Sequence, residues 1–160
     1  MYLLEPYFRN VGKRLVKSPK LYLLDTGLAC HLTGIRSWGD LDRSPLAGKL
    51  WETYALGQVY RALLDASGAR PSLWYWRTKD GQEVDFVIER GGGFEVIEAK
   101  LAEVVTESDL GGIRSFEESY GRGSVSRATI ICRARKPFPV GRHAVATDGV
   151  GLFSKPTPKG

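Results

Sequence analysis

Apolar positions along the chain switch between a helical and an alternating period, and the switches mark out the elements. Lys20 to Leu24 is a short apolar run that leads into Asp25-Thr26-Gly27, which predicts a strand or extended piece and then a helix capped by Asp25 or Thr26. That helix holds Leu28, Ala29 and Leu32 and stops at Gly34. Asp42 to Pro45 reads as a loop. From Ala47 to Ala66 the period is helical: Leu50, Tyr54, Val59 and Leu63 form a stripe, Trp51 and Leu64 widen it, and Gly68 ends it. Leu73 to Thr78, rich in aromatics, reads as a strand, Lys79-Asp80-Gly81 as a hairpin turn, and Glu83 to Glu89 as a second strand. Gly91-Gly92-Gly93 is another turn, and Phe94 to Lys100 a third strand.

These three strands form an antiparallel meander. Thr106 and Ser108 offer caps for an amphipathic helix that carries Leu110, Ile113, Phe116 and Tyr120 and closes at Gly121. Ala128 to Cys132 is a buried-type strand. A helix between it and the third strand predicts a right-handed crossover and parallel pairing. A short strand from His143 to Thr147 follows. The expected fold class is therefore α/β, a central mixed sheet flanked by helices. The expected division is a junction segment at 1–45 packed on the domain, the domain itself at 46–154, and a loose tail at 155–160.

Composition narrows the function classes. A chain of 160 residues, 42% hydrophobic and 26% charged, fits one globular domain. No apolar run reaches the ~18 residues that span a bilayer, and the opening Met1-Tyr2-Leu3-Leu4-Glu5-Pro6 lacks a signal-peptide layout, so a cytoplasmic location without membrane contact is expected. Cys30 and Cys132 lie far apart and His31 and His143 beside no nucleophile motif, which disfavours zinc, disulfides and a hydrolytic triad. A P-loop is absent. The net charge of +5 is uneven: residues 121–160 carry eight Lys/Arg against Asp148 alone, or +7, which leaves −2 for the first 120. With Lys13, Arg14, Lys17 and Lys20 as a second cluster, either a phosphate backbone or plain solvent suits these faces.

The charges that stand among apolar strand residues are more informative. In Val84-Asp85-Phe86-Val87-Ile88 and Val96-Ile97-Glu98-Ala99-Lys100, acids and an amine interrupt sequences of buried type. Buried charges are usually paired or metal-binding. Strict alternation puts Asp85 with Glu83 and Val87 on one face, against Val84, Phe86 and Ile88. It puts Glu98 and Lys100 with Phe94 and Val96. Pairing across the glycine turn brings Asp85 near Glu98, with Lys100 one step on. Two carboxylates can hold Mg²⁺ or Mn²⁺, and the ion activates water and offsets phosphate charge. Lysine then orients or deprotonates that water or stabilises the phosphorane. The competing reading is an exposed cross-strand charge pair. Glu52 on the long helix can face the same site or simply be solvated. Arg77, Lys79 and Gln82 near the first hairpin are weaker candidates for phosphate contact. Trp74-Tyr75-Trp76 reads as core before it reads as a base-stacking platform.

Residues 6–28, which end in Leu23-Leu24-Asp25-Thr26-Gly27-Leu28, together with Gly48-Lys49-Leu50-Trp51-Glu52, Trp76-Arg77-Thr78-Lys79-Asp80-Gly81-Gln82-Glu83-Val84-Asp85-Phe86-Val87 and Glu95-Val96-Ile97-Glu98-Ala99-Lys100, resemble an uncharacterised domain found C-terminal to prokaryotic AAA-type ATPases. That domain is similar to the PD-(D/E)xK, restriction-endonuclease-like nuclease fold. The resemblance implies that Asp85, Glu98 and Lys100 occupy the fold's motif positions, with Glu52 as its helical acid. It implies Mg²⁺ or Mn²⁺ at Asp85 and Glu98, nucleic acid, DNA first, as substrate, and an AAA-type ATPase as partner, joined through a winged-helix segment. It also implies that this chain, which begins near such a junction, is a fragment or a stand-alone version. The expectation is a metal-dependent nuclease-type domain. The alternative is a non-catalytic DNA- or protein-binding module of an ATPase on the same fold.

Overall fold

A computed structural model describes residues 1–8, 15–142, 144–150 and 152. His143, Lys13, Arg14 and the tail at 155–160 lie outside the described residues. The described residues form one eight-stranded mixed sheet flanked by helices. In chain order the elements are β1 (Tyr2–Pro6), β2 (Lys20–Tyr22), α1 (Thr26–Leu32), α2 (Trp38–Arg43), α3 (Ala47–Ser67), β3 (Trp74–Arg77), β4 (Glu83–Arg90), β5 (Gly93–Ala99), a 3-10 turn (Glu107–Leu110), α4 (Gly111–Tyr120), β6 (Val125–Ile131), β7 (Phe138–Val140) and β8 (Ala144–Thr147). Across the sheet the order is β2-β1-β3-β4-β5-β6-β8-β7. The pairs β3/β4 and β4/β5 are antiparallel, and β5/β6 is parallel, so the meander and the parallel pairing form as expected.

Two residues fix the geometry of the central hairpin. Arg90 pairs with Gly93, which leaves a two-residue loop in which Gly91 and Gly92 both have positive φ, 62° and 82°. Two such residues make the tight turn whose twist matches that of the strands it joins, and a side chain at either would be strained. The turn sets the register that pairs Phe86 with Ile97, the residues next to Asp85 and Glu98.

On one face α4 supplies Ile113 and Phe116 to a core with Trp76, Val84, Val87, Val96 and Ile130. On the other, α3 supplies Ala55, Leu56, Val59 and Leu63 to a core with Leu4, Tyr75, Phe86, Ile88 and Ile97. The membership of β4 corrects the strict alternation expected for it. Trp74 pairs with Val87 and Trp76 with Val84, so β4 carries one extra residue opposite Tyr75. This bulge sends Val84 and Val87 into the same core and Phe86 into the other. Asp85 stands at the point where the strand re-aims.

Other departures are local. Asp42 and Arg43, expected in a loop, end α2, which Ser37 caps by accepting from the Asp40 N–H at 3.2 Å. The buried stripe of α3 runs through Glu52, Ala55, Leu56, Val59 and Leu63, while Leu50 and Tyr54 are half-buried and Leu64 is exposed. Leu50, Trp51 and Tyr54 instead line a cleft shared with α1 and α2. The stretch at 1–45 supplies β1 and β2 to the sheet itself, with β1 parallel to β3. Tyr75 and Trp76 are core residues, as expected. Cys132 is buried, Cys30 half-buried, and both are free thiols. Among the described residues no helix is long and apolar enough to cross a membrane.

Candidate metal and phosphate site

A polar cleft of about 490 Å³ opens where the start of β4, the end of β5 and the first turns of α3 and α4 meet. Glu52, Glu83, Asp85, Glu98 and Lys100 all line it. Each is delivered by a different local cause. Glu52 lies in the buried stripe of α3, one turn before Leu56. Glu83 and Asp85 flank Val84, which is anchored in the core. Glu98 follows Ile97 at the end of a strand whose register the glycine turn fixes.

The structure brings together every residue the sequence singled out as catalytic. Asp85 and Glu98 are 7% exposed and Glu52 6%. Asp85 Oδ2 accepts the Ala99 N–H at 2.9 Å, which ties β4 to β5 beside the acid pair. Lys100 Nζ lies 3.0 Å from Glu98 Oε1. The second oxygen, Glu98 Oε2, is buried without a hydrogen-bond partner among the described residues.

Of the weaker candidates, Gln82 lines the cleft and Lys79 is exposed on the hairpin turn. Arg77 does not stand free for phosphate, because its Nε lies 3.5 Å from Glu83 Oε2.

Four participants were not among the candidates. Among the described residues, one oxygen from each of Glu52, Glu83 and Asp85 lies within 4.8 Å of the other two, and Glu98 is outside that trio. Lys20 from the edge strand β2 places its ammonium among them, 2.8 Å from Glu52 Oε1, 3.6 Å from Asp85 Oδ1 and paired with Glu83 Oε1. Tyr22, also on β2, donates its hydroxyl to Glu52 Oε1, and Lys49 reaches Glu52 Oε2 at 2.8 Å. Glu83 carried a sequence signal, since it stands two residues before Asp85 at the start of the same strand. Lys20 was legible only as part of a basic cluster, because no local pattern brings β2 to a helix thirty residues later.

Electrostatics divide the acids into two kinds. Burial works upward on Glu52, but Lys20, Lys49 and Tyr22 outweigh it and hold its carboxyl below the usual glutamate range. Burial, reinforced by the neighbouring Glu52 charge, pushes Asp85 up to about 6. Burial and the facing Asp85 push Glu98 up to about 8. Lys100 is drawn toward deprotonation by burial, yet the Glu98 charge and hydrogen bond prevail and raise it. Glu52 is thus neutralised from within, while Asp85 and Glu98 lack enough positive charge to ionise readily.

That shortage is the test of fit for a divalent cation. The available donors are carboxylate oxygens, which suit Mg²⁺ or Mn²⁺, and one of them is an unpartnered buried oxygen. Asp85 and Glu98 fit such an ion.

Residues 47–148 match the family described as "Domain of unknown function (DUF4143)", and residues 1–38 match a second, "Domain of unknown function (DUF8612)". Two curated bacterial proteins are similar to this chain. One is an uncharacterized protein of Mycobacterium bovis and the other an uncharacterized protein of Mycobacterium tuberculosis. Each is 34% identical over 146 residues, covering 89% of this chain. The chain spans 30% of the length of each of these relatives.

Proposed function

This chain belongs to the family described as a domain of unknown function (DUF4143), and from that premise we propose that it is a metal-dependent phosphodiesterase of the nuclease type. One observation carries the reading. Asp85 and Glu98 are buried in one cleft, where burial and neighbouring carboxylates raise the pKa of both, with one Glu98 oxygen unpartnered among the described residues and Lys100 beside it. Two buried acids with raised pKa values are costly to ionise, and a divalent cation between them would offset that cost. The sheet order and the flanking helices are compatible with a restriction-endonuclease-like topology, which the resemblance of the motif stretches also suggests.

Asp85 and Glu98 would hold the ion, Mg²⁺ or Mn²⁺. Once bound, it would lower the pKa of its water and offset charge on the phosphate. Lys100, with its ammonium 3.0 Å from Glu98 Oε1, would orient the attacking water or stabilise charge on the phosphate. The Ala99 N–H holds the Asp85 carboxylate, which would orient it toward an ion. Exposed Lys49 on the cleft and exposed Lys79 on the hairpin turn would add positive charge for a nucleic acid backbone, whereas Arg77 is engaged by Glu83. DNA is the favoured substrate, and an AAA-type ATPase, in the same or another chain, the proposed partner. Both rest on the family resemblance.

The test is cleavage of single- and double-stranded DNA and RNA by purified protein with Mg²⁺ or Mn²⁺. Asp85→Ala should abolish cutting, and Lys100→Ala should reduce it by about 100-fold or more. Wild-type protein that cuts no nucleic acid form with either ion contradicts the reading. Gel shifts at low salt without cutting would favour the non-catalytic binding module instead.

A further inference from the structure

We propose that the Lys20 ammonium is a built-in cation of this site, holding the Glu52, Glu83 and Asp85 position that a second metal ion would otherwise take and leaving one divalent-ion position at Asp85 and Glu98. The one-ion part of this statement rests on the metal reading given above. The Lys20 part does not.

The geometry is that of a coordinated charge and not of a surface ion pair. Three carboxylates from two different elements surround one nitrogen, at 2.8 Å from Glu52 and 3.6 Å from Asp85, with Glu83 in direct contact. Exposed ion pairs cost side-chain entropy and stabilise little, but the Lys20 side chain is only 18% exposed. Its position is determined from several sides. The backbone is held by the pairing of Lys20 with Leu4, a fully buried residue of β1. The ammonium lies 5.0 Å from the centroid of the Tyr75 ring. The Tyr75 hydroxyl in turn donates to the Ser18 carbonyl, which anchors the approach to β2. Tyr22 then binds the same Glu52 oxygen that Lys20 binds.

The trio meets the distance requirement for a shared cation, since its oxygens lie within 4.8 Å of one another. A doubly charged ion there would lie against the ammonium, and like charges at such a separation repel strongly in a buried setting. Lys20 and a second ion are therefore mutually exclusive. Asp85 belongs to both positions, so the fixed ammonium also limits how negative the metal-binding pair becomes. The consequence for chemistry is a site that needs only one exchangeable ion, its second positive charge being supplied by the chain and independent of metal concentration.

The test counts Mn²⁺ ions bound per chain by calorimetric titration and electron paramagnetic resonance, in wild type, Lys20→Ala, Lys20→Met and Lys20→Arg. Methionine keeps the packed stem, which guards against unfolding, and far-UV circular dichroism establishes that each variant is folded. One ion in wild type and in Lys20→Arg, rising to two in Lys20→Ala or Lys20→Met, is the expected result. Two ions in wild type overturns the proposal while leaving the metal reading intact, and needs no variant. One ion in wild type and one in both folded neutral variants also overturns it. No ion in wild type and one in the neutral variants upholds the Lys20 role and defeats the Asp85–Glu98 metal reading. No ion in any protein defeats both.

Discussion

At the scale of single residues, the acid pair couples stability to pH. A carboxyl whose folded-state pKa is raised keeps its proton where the unfolded chain has released it, so stability falls as pH rises. For Glu98 the window opens at the ordinary glutamate value, about 4.3, and closes at about 8. Asp85 adds to the same slope up to about 6. Metal-free protein in chelator is therefore expected to melt at progressively lower temperature from about pH 5 to pH 8, by an amount on the order of a few kcal/mol in stability. Glu98→Gln should flatten most of that slope. Mg²⁺ or Mn²⁺ should restore more stability at the upper end, where the ligands ionise. Thermal melts at fixed ionic strength read all three, and a wild-type Tm level or rising across the window refutes the assignment. Glu52 contributes in the opposite sense. Its lowered pKa stabilises the fold above the ordinary carboxylate range, and that contribution is lost only in stronger acid.

Between elements, the cleft depends on how closely α4 approaches β4. Gly112, in the first turn of α4, sits against the backbone of Glu83, and an added Cβ would overlap the Glu83 carbonyl oxygen. Backbone cannot give way as a flexible side chain can, so Gly112→Ala should displace the helix and cost about 1–3 kcal/mol or more. The neighbouring Gly111 has open space at the corresponding position, and Gly111→Ala should be neutral or stabilising by up to about 1 kcal/mol through helix propensity. Urea denaturation of the two variants makes the comparison. Equal stability of both would show that the close contact does not hold the cleft. The same displacement would strain β4 at Glu83, two residues before the proposed ligand Asp85, so Gly112→Ala should also weaken divalent-ion binding.

At the scale of the whole molecule, the first two strands belong to the sheet that carries the site. Leu4 and Tyr22 are buried in the same core as Tyr75, Phe86 and Leu56. A chain shortened to residues 46–160 would expose the β3 edge and lose both side chains from that core, along with the Lys20 charge. Burial losses of ~2–5 kcal/mol for a residue such as Leu4 are comparable to a domain's whole margin. The shortened chain should therefore show no cooperative thermal transition by circular dichroism. A sharp transition near the full chain's Tm would mean that residues 47–148, the span of the family match, fold independently of β1 and β2.

Local pattern was enough for much of this architecture. The helical period set α3 from Ala47 to within a residue of its end, and Asp80-Gly81 and Gly91-Gly92 set the meander. Because that turn fixes the register, the sequence also determined that Asp85, Glu98 and Lys100 would share one place. These are short-range consequences, decided by backbone stereochemistry and the alternation of side chains along paired strands. Only the tertiary structure decided the bulge in β4, the rotation of the buried stripe on α3, the entry of β1 beside β3 and the arrival of Lys20 and Tyr22 at Glu52. Each of these is a meeting of segments distant in sequence, chosen by packing and by the need to compensate buried charge, and neither influence leaves a period in the chain for a reader to find.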